Sequence, residues 1–217
     1  MNAVAQLSLI PPDACGLLIL GHGAGAGMRH AGMESLARAL AARGVATLRF
    51  QFPYMDRGRR FPDPLPVRLR TVGAIVERAA ELDLGLPVFA GGRSMGGRMC
   101  STWVAENPRS PLRGLVFYGF PLHPAGKPGT QRGRELERID LPMLFLQGTR
   151  DKLAALDLLG PLCSRLGARA ALHVVEGADH GFHVLERSGR SDDDVLDELA
   201  RQTRRFIVAA SRRGARR

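Results

Sequence analysis

One short pattern, GxSxG at residues 92–96, restricts the folding of this chain more than any other stretch of its sequence. An apolar run of strand character at residues 88–90 precedes the pattern, and a helical pattern at residues 99–105 follows it. A serine on a tight turn between a strand and a helix has strained backbone angles, so the residues two before and two after it must be small. The pattern therefore predicts that the Ser94 hydroxyl stands above the end of a sheet, exposed as a nucleophile.

The remainder of the chain repeats this alternation of strand and helix. Short continuous apolar runs, typical of strands buried on both faces of a parallel sheet, occur at residues 16–20, 45–50, 115–118, 142–147 and 172–175. Apolar residues three and four positions apart predict helices at residues 33–43, 69–82, 154–166 and from 191 onwards, and residues 7–10 could add an edge strand. We therefore predict the α/β fold class, with three layers and a mostly parallel sheet that has helices on both faces.

The length of 217 residues and the hydrophobic content of 45% fit one domain of this kind. We assign it to residues 1–210 and predict that residues 211–217 form a disordered basic tail. Only a short polar connector, at residues 119–140, stands where a lid could be inserted, so we expect a minimal core without a large lid. The proline-rich segment at residues 51–66 is predicted as a loop without helix, either over the site or on the plain surface.

The net charge of +10 raises the question of a nucleic-acid partner. Lys127 and Lys152 are the only lysines, so nearly all of the positive charge is arginine, and no nucleic-acid-binding motif accompanies it. We interpret the charge as a solvated surface and expect no nucleic acid and no membrane as a partner; association of the arginine surface and tail with nucleic acid is the alternative. The absence of a secretory signal at residues 1–12 and the odd number of unrelated cysteines predict a cytoplasmic protein.

A glycine-rich loop at residues 21–27 follows the first buried strand, and two interpretations compete for it. A dinucleotide-binding loop would need the GxGxxG register, which fails here, and an acidic residue after the next strand, which ends instead in Arg49 and Phe50. We favour the second interpretation, a loop whose amide binds a developing oxyanion. The predicted oxyanion hole consists of the amides of Ala24 and Met95, and no cofactor is predicted.

Three residues with complementary proton chemistry each follow a predicted strand, in the order Ser94, Asp151, His180. The carboxyl ends of parallel strands meet at one edge of a sheet, so these distant residues can converge there. His180 would take the proton of Ser94 and deliver it to the leaving group, while Asp151 would orient the imidazole. We predict that these three residues are catalytic.

Each assignment has an alternative. Asp151 could only cap the following helix, with Asp140 or Asp157 as the acid, and His183 competes with His180 as the base. The two histidines could also bind a metal ion, but no third ligand stands nearby in the sequence, so no metal site is predicted.

Four residues are candidates for substrate binding. Arg93 and Arg98 flank the nucleophile and could attract an anionic group, or Arg98 could pair with a carboxylate across its helix. Tyr54, in the proline-rich segment, and Phe120, after the strand at residues 115–118, complete the set.

With these motifs the chain resembles the small α/β-hydrolase family related to dienelactone hydrolases. Its bacterial members are known as predicted hydrolases, and its eukaryotic members include a testis-expressed protein and a chromatin acetyltransferase complex subunit. The motifs that carry the resemblance span almost the whole chain, at residues 21–27, 49–54, 91–98, 119–124, 147–151 and 177–183. The resemblance implies a core that lacks the first strands of the full fold, with Ser94, Asp151 and His180 as the triad. Dienelactone hydrolases proper use a cysteine nucleophile, and the serine here departs from them.

We therefore expect a serine hydrolase that cleaves a small ester or thioester, with an anionic group where the flanking arginines attract one, through an acyl-enzyme. The alternative is a non-catalytic interaction module that retains the fold, as the eukaryotic members in protein assemblies suggest. A scaffold does not need a serine, a histidine and an aspartate in this order, and this chain has all three.

Overall fold

The computed structural model describes residues 4–214, which form a seven-stranded sheet. The strands are β1 (Gln6–Leu9), β2 (Leu17–Gly21), β3 (Ala46–Phe50), β4 (Val88–Arg93), β5 (Leu115–Tyr118), β6 (Met143–Gly148) and β7 (Ala170–Val175). They lie in the order β1-β3-β2-β4-β5-β6-β7. β1 is antiparallel to β3, and all other neighbours are parallel, which confirms the predicted fold class.

Helices cover both faces of the sheet. They are α1 (Ala31–Ala41), α2 (Pro53–Asp56), α3 (Leu65–Glu81), α4 (Met95–Glu106), α5 (Leu156–Leu166) and α6 (Asp192–Gly214). In β2, Leu17 and Ile19 pack into the apolar core on the side of α3, α4 and α5, whereas Leu18 and Leu20 pack into the core beneath α1 and α6. Because both faces of the strand are buried, its sequence is a continuous apolar run rather than an alternating one.

Two segments differ from the sequence-based expectation. The proline-rich segment at residues 51–66 was expected to exclude helix, but it contains the short helix α2, which begins at Pro53. Proline is tolerated in the first turn of a helix, where its missing N–H would have no partner anyway. α6 continues to Gly214, so the first four residues of the predicted disordered tail are helical, and residues 215–217 lie outside the described part of the chain.

The start of α6 is capped by the pair Ser191 and Asp194. The amide of Asp194 donates to Ser191 Oγ (3.2 Å), and the amide of Ser191 donates to Asp194 Oδ2 (2.8 Å). This reciprocal pair satisfies two amides near the start of the helix.

The candidate site lies beside β2, where the order of the strands in the sheet reverses direction. β2 pairs with β3 on one side, ending with Gly21 opposite Phe50, and with β4 on the other, ending with Gly21 opposite Gly92. A Cβ at Gly21 would lie 2.9 Å from the Cα of Gly96, so the end of β2 and the start of α4 are in direct backbone contact. In open α/β sheets, ligands bind in the crevice at such a switch point.

The connection from β5 to β6 contains a 3-10 helix, Gln131–Arg138, and the fold is compact without a large lid. Among the helices of residues 4–214, none combines the length and the apolar content that crossing a membrane requires.

Candidate active site

Ser94 stands on the turn between β4 and α4 with an unusual backbone conformation, φ 49° and ψ −115°. A positive φ is strained for a residue with a side chain and is maintained only where the surroundings enforce it. Here the Ser94 amide donates to the carbonyl of Tyr118 in β5 (3.1 Å). Met95 is the first residue of α4, so its amide has no acceptor within the helix and lies at the positive end of the helix dipole.

Asp151 and His180 form a hydrogen bond of 2.7 Å between Asp151 Oδ2 and His180 Nδ1. The Asp151 side chain is fully buried, whereas 29% of the His180 side chain is exposed. Asp151 accepts two further hydrogen bonds, from the Gln147 side-chain amide and, at 2.7 Å, from the Leu153 amide. These donors fix the position of the carboxylate, which in turn orients the imidazole.

Two contacts bring the loop of His180 against the turn of Ser94. A Cβ at Gly119, which follows Tyr118, would lie 3.2 Å from His180 Nδ1. The Arg93 guanidinium donates a hydrogen bond to the Gly181 carbonyl. The structure thus gathers Ser94, Asp151 and His180 at the carboxyl edge of the sheet, as their positions after strands predict.

The glycine-rich loop after β2 is held by the buried side chain of His22. Its Nδ1 donates to the Gly23 carbonyl (2.7 Å), and its Nε2 accepts from the Phe52 amide (3.0 Å). Burial lowers the pKa of His22, which keeps the ring in the neutral form that can accept at Nε2. In a trans peptide the C=O and N–H point in opposite directions, so fixing the Gly23 carbonyl directs the Ala24 N–H away from His22.

The same loop borders the serine. A Cβ at Gly23 would lie 3.8 Å from the Cβ of Ser94. The Tyr54 hydroxyl donates to the Ala24 carbonyl (2.7 Å), which fixes the next peptide of the loop as well. The Ala24 amide therefore stands on a loop beside Ser94, and the Met95 amide stands at the first residue of α4.

The alternative acids and base lie elsewhere. His183 pairs with Asp192, an exposed aspartate at the start of α6, rather than with Asp151. Asp140 is fully exposed, 3.6 Å from an Arg169 nitrogen, and Asp157 lies in the first turn of α5. Among the described residues, no group of three or more His, Cys, Asp and Glu side chains is placed to hold a metal ion.

The predicted substrate-binding residues have different surroundings. Tyr54 and Phe120 are buried in the core, and the ring of Phe120 packs 5.1 Å from that of Phe117, so neither side chain is available to a substrate in this structure. Arg93 is engaged with Gly181 and lies 5.9 Å from the centroid of the Phe182 ring. Arg98 stands on α4 one turn beyond Ser94.

The sequence analysis did not identify Gln147, whose side chain connects Asp151 with the loop that follows β5. Its side-chain amide donates to Asp151, and its oxygen accepts from the Phe120 amide (3.0 Å). A polar residue at the end of an otherwise apolar strand, four positions before Asp151, is the signal that could have identified it.

Comparisons with known proteins agree with this architecture. A family model described as an alpha/beta hydrolase domain matches residues 14–208. An alpha-beta serine hydrolase homologue from Coxiella burnetii is similar with a TM-score of 0.71 and 18% identity, over 95% of this chain and 90% of that one. A dienelactone hydrolase from Anabaena variabilis gives a TM-score of 0.71 and 20% identity, over 95% and 91% of the two chains. A serine hydrolase without a lid from Xanthomonas campestris gives 0.68 and 18%, over 95% and 96%.

Proposed function

The chain belongs to the alpha/beta hydrolase family, and on that premise we propose that it is a serine hydrolase that cleaves a small ester or thioester through an acyl-enzyme. The observation that carries the proposal is the hydrogen bond between Asp151 and His180, at the sheet edge where Ser94 stands on its strained turn. The similar proteins from Coxiella burnetii and Xanthomonas campestris are described as serine hydrolases, which supports the same chemistry.

In the first half of the reaction, Ser94 Oγ attacks the substrate carbonyl while His180 takes its proton. Because Nδ1 of His180 is bound to Asp151, Nε2 is the nitrogen left to act as the base. The imidazolium then gives this proton to the leaving oxygen or sulfur as the bond to the acyl carbon breaks. In the second half, water attacks the acyl carbon while His180 takes its proton, and this proton passes to Ser94 Oγ as the bond between the acyl group and the serine breaks and the acid is released.

Asp151 acts throughout as an anion. Its carboxylate is buried and accepts hydrogen bonds from Gln147, Leu153 and His180, so it stabilises the imidazolium without itself taking the proton. The developing negative charge on the substrate oxygen is received by the amides of Ala24 and Met95. Loss of one such donor typically raises the barrier by roughly 3 kcal/mol.

A fluorophosphonate probe tests this proposal directly. We expect stoichiometric phosphonylation of Ser94, located by mass spectrometry of the digested protein, and no labelling of Ser94→Ala. A panel of p-nitrophenyl esters and acyl-CoA thioesters, with the same variant as control, then separates esterase from thioesterase activity. A folded protein that the probe does not label would favour a non-catalytic interaction module instead.

We also propose a cytoplasmic location. The three cysteines, Cys15, Cys100 and Cys163, are free, as is usual in a reducing compartment.

A further inference from the structure

The structure holds a cluster of arginines beside the nucleophile that the proposed reaction does not use. Resting on the proposed function, we infer that Arg68, Arg98 and Arg132 form a binding site for a negatively charged oxygen group of the substrate, a carboxylate or a phosphate. The site would make the protein selective for esters or thioesters that carry such a group.

The three arginines come from three elements that pack together, since α4 contacts both α3 and the 3-10 helix between β5 and β6. Arg98 lies one turn into α4, and its amide donates to the carbonyl of Ser94 (3.1 Å). Side chains on a helix lean toward its N-terminus, so the Arg98 side chain extends back toward the serine turn. Arg68 lies in the first turn of α3, and Arg132 is the second residue of the 3-10 helix Gln131–Arg138.

Further contacts connect the cluster with the loops around Ser94. Arg132 Nη1 lies 3.5 Å from the Pro121 carbonyl, two residues beyond Gly119, which adjoins His180. The charge of Arg68 opposes the rise in the pKa of Tyr54 that burial causes, and the Tyr54 hydroxyl binds the Ala24 carbonyl. The arginines are therefore neighbours of the loops that carry His180 and Ala24.

Two of the three guanidinium groups each have a buried nitrogen without a hydrogen-bond partner in the described part of the chain. The Nε atoms of Arg68 and Arg98 are buried and have no hydrogen-bond partner within residues 4–214. None of the three arginines belongs to an ion pair of the described part of the chain. Buried donors without an acceptor are unfavourable and are usually satisfied by a ligand or water where the protein provides nothing.

The charge of the cluster is not balanced by carboxylates. Burial lowers the pKa of Arg98, Glu135 opposes this, and the positive charges of Arg132 and Arg68 lower that pKa further. Glu135 accepts a hydrogen bond from the Thr102 hydroxyl (3.3 Å), and burial raises its own pKa. The other nearby carboxylate, Asp63, raises the pKa of Arg68, but Arg68 shares it with Arg57, which forms an ion pair with it. With Arg57 counted, four guanidiniums face two carboxylates, and an anionic group would neutralise part of this excess through charge-assisted hydrogen bonds.

Matched pairs of anionic and neutral esters test the site. The ratio of their kcat/KM values is unaffected by a substitution that lowers the activity of the enzyme toward both members equally. Monomethyl glutarate is compared with methyl pentanoate, and 1-butyrylglycerol 3-phosphate with 1-butyrylglycerol, by pH-stat measurement of kcat/KM. We expect wild type to prefer the anionic member of one pair by about tenfold or more, and Arg98→Met and Arg68→Met each to reduce that preference about tenfold. The pair that shows the preference identifies carboxylate or phosphate. Arg98→Lys, which keeps the charge but not the two-pronged geometry, should lie between.

Arg70→Met is the matched control, because Arg70 is an exposed arginine two residues beyond Arg68 on α3. It removes the same charge and should leave the ratio unchanged. The site would be overturned if wild type had equal kcat/KM for the anionic and the neutral member of each pair, or if Arg70→Met lost as much of the preference as Arg68→Met. Hydrolysis of the neutral esters and labelling of Ser94 would remain in place in either case.

Binding to Ser94→Ala tests the site without catalysis. Calorimetry should show that monomethyl glutarate or 1-butyrylglycerol 3-phosphate binds to this variant about tenfold more tightly than to Ser94→Ala/Arg98→Met. If the probe does not label Ser94 but this difference is found, the anion site stands and the hydrolase proposal fails. Equal affinity in the two variants overturns the anion site.

Discussion

Two histidines that are three residues apart in the sequence, His180 and His183, each pair with an aspartate, and the two pairs differ in how far they are buried. His180 and Asp151 are 2.7 Å apart, and His183 and Asp192 are 2.9 Å apart. The side chains of the first pair are 29% and 0% exposed, and those of the second are 60% and 54% exposed.

The difference lies in the aspartate rather than in the histidine. Asp151 is buried at the end of β6 and receives two further hydrogen bonds, so it holds His180 in one orientation next to the serine turn. Asp192 is at the solvent-exposed start of α6, where it also accepts from the Val184 amide (3.0 Å) and anchors the preceding loop. A histidine–aspartate pair alone therefore does not indicate catalysis, and the burial and hydrogen bonds of the Asp151 carboxylate are what distinguish the pair that we propose to be catalytic.

Equivalent substitutions in the two pairs should give very different losses of activity. Asp151→Asn keeps the size of the side chain but favours the wrong tautomer of His180, and we expect kcat for ester hydrolysis to fall by about 10⁴. Asp192→Asn should change kcat by about twofold or less, because an exposed pair away from the nucleophile is worth little. Comparable losses in the two variants would contradict the distinction.

A third histidine sharpens the comparison, because His22 uses both ring nitrogens to hold backbone. His22→Phe removes both hydrogen bonds and leaves the Gly23 carbonyl free to turn. We expect kcat to fall roughly 10- to 100-fold, less than the 10²- to 10³-fold loss typical when an oxyanion donor itself is removed. His22→Asn can still donate to Gly23 and should lose less; steady-state kinetics of the two variants give the order.

The smallest expected effect concerns the exposed pair. Asp192 raises the pKa of His183 through its hydrogen bond and its charge, so Asp192→Asn should lower that pKa, as measured by NMR titration of the ring. Because the folded-state pKa is above the unfolded one, the pair stabilises the protein below about pH 6.5 and loses this contribution as pH rises through the folded value. An unchanged titration of His183 in the variant would mean that the two side chains do not interact in solution.

Most of the fold could be predicted because its strands are buried on both faces. β2 alternates between two cores, so every residue must be apolar and the run is visible without knowledge of its neighbours. The sequence does not predict the short helix α2, because a proline-rich segment usually excludes helix. Pro53 stands in the first turn of α2, where a helix tolerates proline.

The chemistry of the site was partly visible for a related reason. Ser94 directly follows a strand, and Asp151 and His180 each lie in the short loop after one, so local sequence places them at one edge of the sheet. Gln147 carries a local signal too, as a polar residue at the end of an apolar strand, whereas Arg68 could not be found this way, because its neighbours belong to distant elements. Phe120 was named as a substrate contact because an aromatic residue after a strand can turn either way, and here its ring turns into the core.

The backbone contact between Gly21 and Gly96 has a consequence for how such a chain can change in evolution. The spacing between the glycine-rich loop and the serine turn is set by main chain against main chain, and a Cβ at Gly96 would overlap the Gly21 carbonyl. Substitutions in the surrounding walls can therefore accumulate without altering that spacing. Side chains around the crevice can therefore be exchanged while the turn of Ser94 and the glycine-rich loop keep their separation.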